Sequence, residues 1–346
     1  MHAIASVNAA GTTTFTEGCG LYAADAAGIP AAVAAAKKAD VVVLSLGIDA
    51  KGDSTPGSAP YYERETHDRQ AIVLPPVQVQ LAQAVVAVGR PTVVFLMNGG
   101  SVDIPAFILD SEHVAVIEGF YPGMEGGQAL AQQLFGMANR WGKMPYSIYP
   151  AGWVESNSML DHDVTHGRTY RYATDETGLV VRFGAGLSLT AFTLTFAAST
   201  AAPGPSAAVW AASTRSNITL ATDGSTGNVT FTIDVNNVGA VTGDAVVMAY
   251  MIPSKVSLKQ YPVKSLFDFA RLDNVGASTT NAATSSQVTF TVNRDSLLLV
   301  SQAGDKVSTP GVYTLSFEDG AGQALAATVT IVGKETVVEP FPTVAA

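Results

Sequence analysis

Three apolar runs constrain the first part of this chain more than any other feature: "DVVVLSLG" at residues 40–47, "PTVVFLMN" at 91–98 and "HVAVIEGF" at 113–120. Each is rich in β-branched residues and nearly continuous where a half-exposed strand would alternate, the pattern of a strand covered on both faces. Helical patterns lie between and around them. "PAAVAAAKKA" (30–39) precedes the first run, and "PPVQVQLAQAVVAVG" (75–89) precedes the second, with proline allowed in its first turn and glycine at its end. "VDIPAFILDSE" (102–112) reads as helical around an early proline, and "GMEGGQALAQQLFG" (123–136) as a helix closed by Gly136. Such alternation means βαβ units and a parallel sheet, whose ligands sit in the loops at the carboxyl ends of its strands.

Beyond about residue 179 the texture changes to Thr, Ser, Val and Ala. Period-2 segments such as "NVTFTIDVNNVG" (228–239), "DAVVMAYMIP" (244–253), "SQVTFTVNRD" (286–295) and "GVYTLSFEDG" (311–320) are separated by Gly, Asn and Asp turns. That spacing describes an antiparallel sandwich, with no helix expected after Asn217. The expected organisation is an α/β domain over residues 1–150, a polar, glycine-containing connecting segment over 151–190, and a β-sandwich over 191–335.

Composition excludes several function classes. With 346 residues and 47% apolar content the chain can bury a sizeable core, enough for two domains. A net charge of −10 and no block of Lys or Arg leave no footprint for nucleic acid. No apolar run reaches the roughly 20 residues needed to span a bilayer, so no membrane partner is expected. Neither the five histidines nor the single Cys19 show metal-ligand spacing, so no metal or cofactor is expected, and one cysteine says nothing about redox compartment. The first residues lack a secretory signal pattern. Sequons at Asn217 and Asn228 would matter only in a secretory lumen, and two in so Thr- and Asn-rich a chain arise readily by chance.

In a sequence only 14% charged, "YYERETHDR" (61–69) concentrates three acids, two arginines and a histidine behind two tyrosines. It ends a long excursion, residues 47–69, that leaves the carboxyl end of the first strand and includes the Gly/Pro/Ser-rich "KGDSTPGSAP". Long loops without structure of their own are more often functional or disordered than neutral. A carboxylate-rich loop at this edge of a parallel sheet is a candidate for acid/base chemistry, and a solvated loop with i,i+4 pairs is the alternative. Other landmarks carry two readings each. Glu125 fits a helix start, where its charge favours the dipole, better than it fits a catalytic role. "NGGSVDIP" (98–105) offers a glycine turn or a sugar-lining loop, and "GRTYRY", with Arg168, Tyr170, Arg171 and Tyr172, a sugar platform or an interdomain strut.

An ordered series of segments carries a family resemblance. "ADVVVLSLGID", "ERETHDR", "LPPVQVQLAQAV", "PTVVFLMNGGSVDIP", "EGFYPGMEGGQALAQQLFGMANRWGKMPYSIYP", "GRTYRY" and "FGAGLSLTAFTLT" together resemble the carboxyl-terminal half of glycoside hydrolase family 3. Within it they most resemble the β-xylosidases, with their E-x-E-x-x-D-R pattern. "VNNVGAVTGDAVVMAYM", "KQYPVKSLFDFARL" and "PGVYTLSF" resemble the fibronectin III-like domain that ends many members. The resemblance implies an α/β fold class: a flattened parallel-sheet sandwich, incomplete at its start, followed by a fibronectin III-like antiparallel sandwich.

The resemblance also implies a chemistry, retaining hydrolysis of terminal β-linked sugars. A preceding (β/α)8 barrel supplies the nucleophile in family members, and this half supplies the general acid/base. The family's acid lies three residues before Asp-Arg, which here is Glu65, with Asp68 and Arg69 matching the pair. Glu63 is the second choice for the role, and His67 occupies a variable position; His67, Asp68 and Arg69 are the candidate substrate contacts. Two neighbouring carboxylates would raise each other's proton affinity, with Arg64 opposing. "FGMANRWGKMP" departs from the family's "FGDxNPSGRLP", and the match begins inside the sandwich, so the expectation is either a truncated gene product or one half of a split enzyme whose barrel is a separate partner. The expected function is therefore part of an exo-acting β-glycosidase for a β-xyloside or β-glucoside. The alternative is a non-catalytic glycan- or protein-binding remnant. Family members are secreted, although no signal peptide is seen here.

Overall fold

The fold comes from a computed structural model that describes residues 2–22, 25–51, 61–158, 160–174, 178–197, 215–278 and 285–342. The chain divides into two compact units. One gathers Met1–Met137, Ser147–Asp161 and Thr177–Val181; the other gathers Ala138–Tyr146, His162–Glu176 and Arg182–Ala346.

The first unit runs α1 (His2–Val7), α2 (Ile29–Lys38), β1 (Val42–Gly47), α3 (Pro76–Val86), β2 (Thr92–Met97), α4 (Ala106–Leu109), β3 (Val114–Glu118), α5 (Gly126–Leu134) and α6 (Gly152–Ser156). The three apolar runs form one parallel sheet in the order β1-β2-β3. Leu44 pairs with Val94, and Val94 with Val116. Central β2 buries Val94 and Leu96 completely, and Leu81, Ala82 and Val85 of α3 together with Ile108 of α4 complete the core. The expected helix over 102–112 shrinks to the single turn of α4, because Pro105 confines its start and the chain leaves helical hydrogen bonding after Asp110. Helix α1 has no capping residue or periodic pattern to announce it and packs against α5.

The carboxyl end of β1 is locked by a buried polar side chain. Gln78 of α3 accepts the Gly47 N–H (2.8 Å) and donates to the carbonyls of Gly47 (2.7 Å) and Leu21 (2.9 Å). Gly47 sits at φ 151°, and a Cβ there would lie 2.0 Å from the Met97 carbonyl, so only glycine lets β1 turn out of the sheet beside β2. This fixes where the long excursion departs.

The second unit contains α7 (Thr169–Tyr172), β4 (Phe192–Phe196), β5 (Arg215–Ala221), β6 (Val229–Asn237), β7 (Gly243–Ser254), β8 (Ser265–Val275), β9 (Ser285–Val292), β10 (Leu299–Val300), β11 (Lys306–Ser308), β12 (Gly311–Glu318), β13 (Ala324–Val332) and β14 (Thr336–Glu339). A five-stranded sheet β5-β13-β12-β7-β8 and a three-stranded sheet β4-β6-β9 share one core, and β10-β11-β14 form a small third sheet. Strict alternation along β6 buries Val229, Phe231, Ile233 and Val235. Phe317 of β12 is the hub, with ring centroids 5.3 Å from Phe231, 5.3 Å from Phe290 and 6.0 Å from Phe196. One pair departs from the antiparallel expectation: β5 runs parallel to β13. No hairpin joins these distant segments, so no tight turn imposes antiparallel pairing. After Asn217 the only helical turn among the described residues is the 3-10 segment Arg294–Leu297, capped by Asn293 and Ser296.

"GRTYRY" packs inside this second unit. The Tyr170 ring stacks on Phe183 (4.0 Å, 11°) and meets Tyr250 edge-on, while its hydroxyl accepts the Leu266 N–H at 3.1 Å. Arg171 donates to Ser265 Oγ at 3.2 Å. With a ring covered on its face and edge, Tyr170 serves as an internal strut and offers no open sugar platform.

Candidate active site

The loops that follow β1, β2 and β3 converge at the carboxyl edge of the parallel sheet, and the charge concentration of the sequence sits among them. The expected loop part at residues 52–60 lies outside the described residues; its continuation folds into a tight turn. The Arg64 N–H donates to the His67 carbonyl (3.2 Å), and the His67 N–H to the Arg64 carbonyl (2.9 Å). Glu65 and Thr66 form the tip. Thr66 is held at φ 70°, a left-handed conformation that costs a β-branched residue about 1–3 kcal/mol. Glu65 is exposed and makes no hydrogen bond or ion pair with any described residue.

Glu63 and Glu65 are two residues apart and have opposite surroundings. Glu63 Oε2 lies 2.6 Å from Arg69 Nε, with the two side chains 25% and 8% exposed. The Gly100 N–H, in the loop after β2, donates to Glu63 Oε1 in a short hydrogen bond. Arg69 also donates to the Ser101 carbonyl at 2.8 Å. A Cβ on Gly100 would lie 2.7 Å from both Glu63 Oε2 and the Arg69 guanidinium, so the second glycine of "NGG" is what lets the turn close on this pair. Both oxygens of Glu63 are thus spent on fixing the hairpin's base to the sheet. Its charge is answered by Arg69.

Aromatic groups line the other side of the turn. His67 stacks on Tyr62 with centroids 4.2 Å apart and planes 12° from parallel, and the Arg64 guanidinium lies 5.6 Å above the Tyr62 ring. Tyr62 is edge-on to Tyr22 at 6.4 Å. The Tyr22 hydroxyl donates to Asp49 Oδ1 (2.8 Å) and accepts the Asp49 N–H (2.9 Å), and burial pushes its phenol well up. From the loop after β3, Tyr121 approaches Gly99; burial and then the Glu63 charge push this phenol up as well. Asp68 stays at the exposed surface.

The fold therefore brings Glu63, Arg69, Gly100 and Ser101 into one cluster, stacks His67 on Tyr62, and leaves Glu65 and Asp68 facing solvent. Tyr22, Asp49 and Tyr121 went unread in the sequence. Tyr121 had a signal, an aromatic in a "YPG" turn after a strand, whereas Tyr22 and Asp49 had none. Glu125 is the exposed residue preceding α5 and makes no side-chain capping bond, leaving the helix dipole as its interaction. Among the described residues no three His, Cys, Asp or Glu side chains are grouped to hold a metal ion, and no helix is long and apolar enough to cross a membrane. Chemically, an unengaged carboxyl at the tip of a hydrogen-bonded turn can deliver a proton to a bound molecule and take one back.

Comparison with known proteins agrees on one family. Residues 3–190 match the glycosyl hydrolase family 3 C-terminal domain. Over 337 residues the chain is 33% identical to a Neosartorya fischeri protein described as a probable exo-1,4-β-xylosidase, covering 95% of this chain and 40% of that one. Over 335 residues it is 28% identical to an exo-1,4-β-xylosidase of Aspergillus awamori, covering 95% and 39%. Among solved structures it resembles a family 3 exo-β-xylosidase in complex with a xylobiose aziridine probe, with TM-score 0.78, 25% identity, and 99% of this chain and 42% of that one covered. The fold also matches a β-glucosidase from Kluyveromyces marxianus in complex with glucose, with TM-score 0.67 at 22% identity, covering 91% of this chain and 34% of that one. The chain spans about 40% of the length of the curated relatives it matches.

Proposed function

This chain belongs to glycosyl hydrolase family 3, and from that premise we propose that it supplies the general acid/base hairpin of a retaining, exo-acting β-glycosidase of the β-xylosidase kind. Glu65 is the acid/base. The observation that carries this choice is the contrast within the hairpin: Glu63 is committed to Arg69 and the Gly100 N–H, and Glu65 is exposed and unengaged at the tip. A group that must first give and later accept a proton needs free oxygens, and the strained turn at Thr66 limits where its backbone can carry it.

In the first step a carboxylate nucleophile, contributed by a barrel that these 346 residues do not include, attacks the anomeric carbon. The glycosidic C–O bond breaks, and the Glu65 proton passes to the leaving oxygen. In the second step ionised Glu65 takes a proton from water, whose oxygen attacks the anomeric carbon and frees the nucleophile. Retention requires the two carboxyl groups about 5–5.5 Å apart, which sets where the tip must reach in the assembled enzyme. Arg69 and Glu63 position the hairpin, and the His67–Tyr62 stack beside it, with Asp68, is the proposed contact surface for a β-xyloside or β-glucoside.

The test is leaving-group dependence in the enzyme completed with a family barrel, by coexpression or as one polypeptide. Glu65→Ala is expected to slow substrates with poor leaving groups by about 10²–10⁴-fold while sparing activated aryl glycosides much more. Equal losses on both classes would remove Glu65 from the role. Transfer of the dependence to Glu63→Ala would keep the mechanism and change the residue.

A further inference from the structure

The excursion after β1 is described up to residue 51 and again from residue 61, and one buried side chain touches both stretches. Tyr22, only 7% exposed, lies in the segment before α2. Its hydroxyl donates to Asp49 Oδ1 at 2.8 Å and accepts the Asp49 N–H at 2.9 Å, so a single residue of the first stretch takes up both of its hydrogen-bonding roles. Its ring meets Tyr62 of the second stretch edge-on at 6.4 Å, and Tyr62 in turn carries the stacked His67 ring at 4.2 Å. The backbone beside Tyr22 is held as well, since Gln78 Nε2 donates to the Leu21 carbonyl at 2.9 Å and to the Gly47 carbonyl at 2.7 Å. Residues 21–22 and 47–49 are therefore joined by two rungs, one through Gln78 and one through Tyr22.

We propose that Tyr22 is a positioning residue for the hairpin, pinning Asp49 through its hydroxyl and seating Tyr62 against its ring edge. The Glu63–Arg69 pair and the Gly100 N–H tie the hairpin to the loop after β2. Tyr22 ties its aromatic side to the end of β1. A turn held at one base can pivot about it, and a second anchor on a different strand end removes that freedom. The turn that carries Glu65 is then presented in one place at the carboxyl edge of the sheet. The Asp49 charge also bears on Tyr121, so the same clasp lies beside the loop after β3. Burial pushes the Tyr22 phenol well up, which keeps its donor proton in place at neutral pH. Tyr22 acts through Asp49 and Tyr62 and takes no part in proton transfer itself.

The purpose of this clasp rests on the acid/base reading above, and the experiment separates the two. Tyr22→Phe keeps the ring and loses one oxygen; Tyr22→Leu loses the ring edge as well, and Tyr22→Phe alone decides if Tyr22→Leu does not fold. On this chain alone, hydrogen exchange of the Arg64 and His67 amides, which close the turn, is expected to speed up in Tyr22→Phe by about 10-fold more than that of the β2 amides, and further in Tyr22→Leu. In the enzyme completed with a family barrel, kcat/KM of Tyr22→Phe on substrates with poor leaving groups should fall about 10-fold more than on activated aryl glycosides, because a displaced acid impairs proton delivery and spares substrates that need little of it. A residue serving stability alone would speed exchange of hairpin and β2 alike and lower both substrate classes equally. Either of those results overturns the proposal, as does unchanged exchange at Arg64 and His67. If Glu65→Ala itself lacks leaving-group dependence, the acid/base reading falls, and the exchange result by itself decides whether Tyr22 positions the hairpin.

Discussion

The two glutamates of the hairpin should separate in a stability measurement before any activity is assayed. Arg69 is 8% exposed and Glu63 25% exposed, so their ion pair lies between a surface pair, worth about 0–1 kcal/mol, and a fully buried one, whose breakage costs about 3–5 kcal/mol. Replacing Glu63 with Ala strands a nearly buried guanidinium and leaves the Gly100 N–H without its acceptor. An intermediate loss of about 2–3 kcal/mol follows, and at roughly 2–4 °C per kcal/mol the melting midpoint should fall by about 5–10 °C. Glu65→Ala removes a solvent-facing side chain that makes no bond to a described residue, so it should stay within about 0.5 kcal/mol of wild type. Differential scanning calorimetry on the chain alone, with urea unfolding as a second measure, reads both variants. If Glu63→Ala melts with wild type, or Glu65→Ala costs more than about 1 kcal/mol, the division into a structural and a reactive carboxyl is wrong.

Three further outcomes are expected. Thr66→Gly relieves the left-handed strain at φ 70° and should stabilise by up to about 1 kcal/mol, since glycine's entropy offsets part of the gain; a loss of that size would mean Thr66 makes a contact worth more than its strain. In the second unit, Asp244 is buried, which alone would raise its carboxyl, but the Asn274 N–H (2.9 Å) and the guanidiniums of Arg271 (2.5 Å) and Arg140 (3.0 Å) hold it below the usual carboxylate range. Its stabilisation is therefore present above the unfolded carboxyl's range and lost as pH falls through the folded one. The midpoint gap between wild type and Asp244→Asn should shrink toward acid, and a gap constant from pH 7 to pH 2 would contradict that network. Finally, the purified chain alone should release no more nitrophenol from aryl β-xyloside than its Glu65→Gln variant, because proton donation by itself is worth only about 10²–10⁴-fold. Turnover well above that control would mean these residues hold a nucleophile.

How much was legible depended on whether the signal was local. The strands β1, β2 and β3 were readable from their nearly uninterrupted apolar runs, although only central β2 has no exposed position, while β1 exposes Ser45 and β3 exposes Ala115. Strand β6 was readable because burial on one face writes alternation. Strand β8 was not, because at the edge of its sheet "SLFDFARLDNV" leaves Asp268, Phe269, Arg271 and Asp273 exposed and breaks the period. Alanine-rich β13 lacked the β-branched density that marks a strand at its start. At the site, the composition of "YYERETHDR" marked a candidate acid/base loop, and its resemblance to a family motif ranked Glu65 over Glu63. The different surroundings of Glu63 and Glu65 were invisible, because they depend on Gly100 arriving from 37 residues away to occupy Glu63.

The most direct test of the central claim is the product formed by the Glu65→Ala enzyme, completed with a family barrel, on an activated aryl β-xyloside in the presence of azide. With the base removed, water is a poor nucleophile toward the glycosyl-enzyme, whereas azide attacks the anomeric carbon without giving up a proton and releases the barrel's carboxylate. Turnover should rise with azide concentration, and the product should be the β-xylosyl azide, since two inversions at one carbon restore its configuration. Glu63→Ala should show no such rescue. An α-azide would contradict the retaining mechanism, and no rescue of Glu65→Ala would contradict the assignment of Glu65 as the acid/base.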